Sequence, residues 1–141
     1  MVSINQSSQV SGAALWAGRI ITGAVALLLL LDSVMKFFKP AVVVETTRQL
    51  GYPEHLIIPI AIALLVSVIL YVIPATAVLG AILLTAYLGG AVATHVRVDS
   101  GVFPVTFAVV FGVLVWAGLF LREPRLHSLI PVKTTQTTKE S

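Results

Sequence analysis

The side chains able to do chemistry in this chain fall into a few short stretches. Glu54 and His55 precede one apolar run, His95, Arg97 and Asp99 follow another, and Asp32 and Lys36 stand four residues apart. Imidazoles and carboxylates grouped at one level can coordinate a metal or relay protons. The spacing gives no metal signature, because no H-x-x-x-H or E-x-x-H pair occurs within one helix-length run. Nucleophilic catalysis has no support either: Ser33 and Ser67 sit in no nucleophile elbow. Cysteine is absent, which removes thiol relays, cysteine-ligated iron–sulfur clusters and c-type haem attachment within the chain. No catalytic residue and no metal ligand is therefore assigned. The remaining candidates are a polar cap of Asp32, Lys36, Glu54 and His55, and ligand contacts at His95, Arg97 and Arg19, the last an ionisable group inside an apolar run.

The elements that must position these groups are membrane spans. Of the 141 residues, 57% are hydrophobic and 11% charged, far from the composition of a soluble domain. Four apolar runs approach the roughly 20 residues that cross a bilayer as helix, and the alternating pattern of a membrane β-barrel is missing. The expected fold is all-α: a polytopic four-helix membrane bundle with spans near 12–38, 56–73, 75–95 and 104–121, and a short interfacial helix between the first two. Residues 1–11 read as a flexible leader, 12–131 as the membrane domain and 132–141 as a disordered polar tail.

Several local signals place the boundaries. The first run is read as a retained span, since no Lys or Arg precedes it and no small-x-small site follows. Arg19, about two turns inside, either snorkels to the interface or meets a buried partner. Asp32 and Lys36 have the favourable order for a helical pair, and Pro40 supplies the stop. Between Pro40 and Gly51, Val43, Thr47 and Leu50 share one side while Glu45, Arg48 and Gln49 share another, which predicts the interfacial helix. Pro59 implies a kink, or a helix that starts there. Pro74 leaves so little chain between the second and third spans that they must form an antiparallel hairpin.

The third run carries the most information. Ala77, Ala81, Thr85, Gly89 and Ala93 recur every fourth residue, a ridge of small side chains that lets helices approach closely in lipid. It serves helix packing, in one chain or between copies, or else Gly89-Gly90 admits a flat ligand such as a quinone ring. With four spans both termini lie on one side, and the Lys and Arg count leans slightly towards cytoplasmic termini. No basic patch interleaved with stacking aromatics points to nucleic acid.

The order G-Y-P-E-H-L at 51–56, I-P-A-T-A-V-L-G-A-I-L-L-T-A-Y-L-G-G-A-V-A-T-H-V-R-V at 73–98 and L-F-L-R-E-P-R-L at 119–126 resembles the DoxX-like family of small four-helix membrane proteins. The resemblance covers roughly Gly12 to Pro131. It implies an integral inner-membrane protein, and some relatives are subunits of quinone-linked oxidoreductases or join complexes with soluble redox enzymes. The functional expectation is an accessory or anchoring subunit of a membrane redox complex, without stand-alone activity, meeting the bilayer and a redox partner or further copies of itself. The alternative is an oligomeric protein that binds or moves a small lipophilic molecule.

Overall fold

In a computed structural model, which describes residues 10–129, the chain is helical. Helix α1 runs Gly12–Phe38, α2 Ala41–Gln49, α3 Ile57–Val72, α4 Ala77–Arg97 and α5 Val102–Arg122, with a single turn, α6, at Leu126–Leu129. Helices α1, α3, α4 and α5, the second and third extended by 3-10 turns at Glu54–Leu56 and Pro74–Thr76, are long and apolar enough to cross a membrane. Residues 1–9 of the expected 1–11 leader and the whole of the 132–141 tail lie outside the described residues.

Each boundary has a local cause. The hydroxyl of Ser11 accepts from the Ala14 N–H and caps α1. Lys39 ends α1 in the left-handed region (φ 46°), and Pro40 then caps α2. Gly51 (φ 81°) turns the chain back towards α3. Helix α3 begins at Ile57, so Pro59 falls in its first turn, where no N–H is needed, rather than starting the helix. A 3-10 turn at Pro74–Thr76 precedes α4, and the Thr76 hydroxyl donates to the Leu70 carbonyl at 2.8 Å, fixing the corner with α3.

The spans form a ring in which α1 packs on α3 and α5, and α4 packs on the same two from the opposite corner. Neighbours run antiparallel. Gly12, Val72, Ala77 and Arg122 thus share one end of the bundle, the terminal end, while Phe38, Ile57, Arg97 and Val102 share the other, the cap end. The buried stripes follow the helical period: Thr22, Val25, Ala26, Leu29 and Ser33 on α1; Ile57, Ala61, Leu64, Val68 and Tyr71 on α3; Ala77, Gly80, Ala81, Leu84 and Leu88 on α4; Ala108, Phe111, Val115, Gly118 and Leu119 on α5. Small residues recur at the contacts, as expected where association in lipid depends on close packing. At Gly80 a Cβ would stand 2.1 Å from the Tyr71 backbone nitrogen, so only glycine fits the α3–α4 hairpin there.

Candidate functional site

Polar side chains concentrate at the two ends, and each end is built differently. At the cap end, α2 and the loop after it are tied to the end of α4. Arg97 donates to the Leu50 carbonyl at 2.9 Å, with its guanidinium 6.0 Å from the Tyr52 ring. Thr94 donates its hydroxyl hydrogen to the Gly90 carbonyl at 2.8 Å, leaving its oxygen to accept from the Tyr52 hydroxyl at 2.9 Å. The half-buried face of α2 carries Val43, Val44 and Thr47, and the Thr47 hydroxyl back-bonds to the Val43 carbonyl. Glu45, Arg48 and Gln49 stay exposed.

The candidate cap residues occupy this end without converging on one point. Asp32 and Lys36 pair along α1, while Glu54 pairs with Arg48 at 3.4 Å across the loop. His55 is exposed; His95 is half-buried, and its Nδ1 is shielded with no hydrogen-bond partner among the described residues. Among the described residues no three His, Asp or Glu side chains gather as metal ligands would. The cap is close to electroneutral: Lys36, Lys39, Arg48 and Arg97 balance Asp32, Glu45, Glu54 and Asp99.

The small-residue ridge of α4 changes neighbours along its length. Ala77 and Ala81 are buried, whereas Thr85, Gly89 and Ala93 are exposed. The cause is geometric: a step of four residues overshoots a full turn by about 40°, so the ridge winds from the core to the outer face. Thr85 sits at the crossover, donating to the Ala81 carbonyl and accepting from Trp116 Nε1 of α5, both at 2.8 Å. Beside it an open apolar groove of about 570 Å3 runs along α4 and α5, past Gly112, Val113 and Phe120. Gly89 and Gly90 have open space where a Cβ would project. A flat ring can reach that backbone, where the flanking Thr85 and Thr94 hydroxyls donate to the Ala81 and Gly90 carbonyls.

The terminal end is organised by Tyr71, which spacing alone did not single out. It is fully buried, donates its hydroxyl to the Val115 carbonyl at 2.8 Å and faces the Thr22 hydroxyl at 3.4 Å, so one side chain links α3 to α5 and α1. Arg122 donates to the Tyr71 carbonyl at 2.7 Å and stacks over its ring at 5.2 Å. Leu126 is buried against the core, and His127 Nε2 stands 3.0 Å from the Phe120 carbonyl, folding the chain after α5 back onto the bundle. Arg19 is exposed, 6.0 Å from the Trp16 ring, and borders a cleft shared with Arg122. The sequence signal for Tyr71 was a tyrosine within an apolar span, whose hydroxyl must find a partner.

Four antiparallel apolar helices with a short helix after the first make a multi-pass membrane bundle. No curated protein and no solved structure matches the chain at a significant level. The DoxX-like family matches residues 20–118, from the third turn of α1 to near the end of α5 and over more than half of the length. This chain belongs to the DoxX-like family.

Proposed function

We propose that this protein is an accessory membrane subunit without catalysis of its own, which holds a soluble redox partner on its cap end in a quinone-linked complex. The observation that supports this reading is the construction of the cap. Its loop is fastened to α4 through Arg97, Tyr52 and Thr94, while Glu45, Arg48, Glu54, His55 and Asp99 are left exposed. A charged, near-neutral surface on a fixed backbone suits a partner that is recognised by paired charges, which set specificity and encounter rate more than affinity. With both termini in the cytoplasm of a bacterial cell, the partner would meet the cap on the far side of the inner membrane. The outward part of the ridge, Thr85, Gly89 and Ala93, would then be free to pack against another membrane subunit or a second copy.

The test is purification from native membranes in mild detergent, comparing the wild type with the charge reversals Arg48→Glu and Glu54→Lys. A partner present in stoichiometric amount with the wild type and lost from both variants supports the proposal. A partner retained by both variants, or none at all, refutes it.

A further inference from the structure

At the terminal end three sources of positive potential meet around one cleft. Arg19, from the second turn of α1, and Arg122, the last residue of α5, both border a cavity of about 180 Å3 with an apolar floor of Leu15, Ala77 and Leu119. The third source is the start of α4. Ala77 is its first residue, entered from the 3-10 turn Pro74–Thr76, and no side chain caps it, so the positive end of the helix dipole lies at this level.

Neither arginine is neutralised where it stands. Arg19 makes no hydrogen bond or ion pair among the described residues, only its approach to Trp16. Arg122 uses Nη2 on the Tyr71 carbonyl, and its shielded Nε has no acceptor among the described residues. Glu123 also borders the cleft but forms an ion pair with neither arginine. Two guanidiniums less one carboxylate leave a single excess positive charge, which matches a phosphodiester better than a doubly charged phosphomonoester.

The position fixes the source of that phosphate. The spans end at this level, and Trp16 is exposed beside the cleft, a residue favoured in the headgroup layer. The cavity holds about six water volumes, room for a phosphate and part of a glycerol, with the acyl chains left outside along the bundle. We propose that this cleft binds the phosphodiester headgroup of an anionic phospholipid, with Arg19 and Arg122 on the phosphate and the glycerol against Leu15, Ala77 and Leu119. Basic pockets between membrane helices recognise lipids in this way. The site lies at the opposite end from the cap, so its fate is independent of whether a partner docks there.

The experiment is native mass spectrometry of the full chain in mild detergent, titrated in separate arms with phosphatidylglycerol, phosphatidylcholine and inorganic phosphate, and paired with a thermal melt. The expected result is retention of phosphatidylglycerol about fivefold above phosphatidylcholine, with Arg19→Gln losing that preference by about the same factor. Arg19→Lys should keep most of it, and Arg48→Gln at the cap should keep all of it. Because Arg19 is exposed, both Arg19 variants are expected to melt as the wild type does without lipid. Equal retention of the two lipids overturns the proposal, as does an equal loss in Arg19→Gln and Arg48→Gln. Protection by inorganic phosphate equal to that by phosphatidylglycerol overturns the lipid assignment.

Discussion

Gly80→Ala on α4 is the substitution from which the structure extracts the largest penalty for a single methyl group. The added Cβ would lie 2.1 Å from the Tyr71 nitrogen and 2.4 Å from its Cα, both backbone atoms that no rotamer change can move aside. Ordinary contact begins near 3.4 Å, so α3 and α4 must separate by more than 1 Å at this point. The separation pulls on Tyr71, whose hydroxyl bond to the Val115 carbonyl is 2.8 Å and whose carbonyl holds Arg122 at 2.7 Å. Overpacking of about 1–3 kcal/mol, together with about 1 kcal/mol for a weakened hydrogen bond, sums to about 3 kcal/mol. A gain in helix propensity of at most about 1 kcal/mol acts the other way and does not decide the sign. Gly90→Ala, ten residues along the same helix, is the matched control, because a Cβ there meets nothing within 4 Å. Thermal or denaturant unfolding in one detergent should show Gly80→Ala strongly destabilised and Gly90→Ala at or slightly above wild type. Equal stability of the two variants would refute the helix contact on which the terminal end depends.

Other consequences are open to measurement. Tyr71→Phe removes a buried hydroxyl serving α5 and α1 and should cost about 1 kcal/mol, near the average for hydrogen bonds between membrane helices; an unchanged unfolding midpoint would contradict the role given to it. Arg97→Gln should free the loop around Leu50 and Tyr52, seen as faster hydrogen exchange there with little change in global stability; unchanged exchange would show that the loop is held by other means. Lys39 occupies a left-handed conformation directly before Pro40, so Lys39→Gly should stabilise the chain by up to about 1 kcal/mol; a loss of stability would show that its side chain matters more than its backbone. The absence of cysteine permits single-cysteine mapping: Ser100→Cys should react with an impermeant thiol reagent from outside intact cells, and reaction only after lysis would reverse the proposed orientation.

Much of the fold was legible because lipid imposes it. Runs of apolar residues long enough to span, the proline between the second and third, and the two-sided segment before Gly51 dictated four helices with a short one after the first. The α4 ridge was legible only in part. Ala77 and Ala81 are buried, but the turn of the helix carries Thr85, Gly89 and Ala93 outward, and the true point of closest approach is Gly80, one residue from the ridge. Nothing local to Gly80 announces that Tyr71 will lie across it. Nor does the sequence around Arg122 disclose its bond to the Tyr71 carbonyl, because that partner is 51 residues away in the chain. The Asp32–Lys36 pair was legible from its spacing along one helix, whereas the pairing of Arg48 with Glu54 depends on how the turn at Gly51 brings α2 back against the start of the second span.

The reading of this protein as an accessory subunit is tested most directly by native mass spectrometry of the untagged chain released from its own membranes, before and after reversing the charge of Arg48 and Glu54. The account predicts a defined assembly containing a redox protein, which dissociates when those two charges are reversed. A chain that leaves the membrane bare or only with copies of itself, in both forms alike, would contradict it.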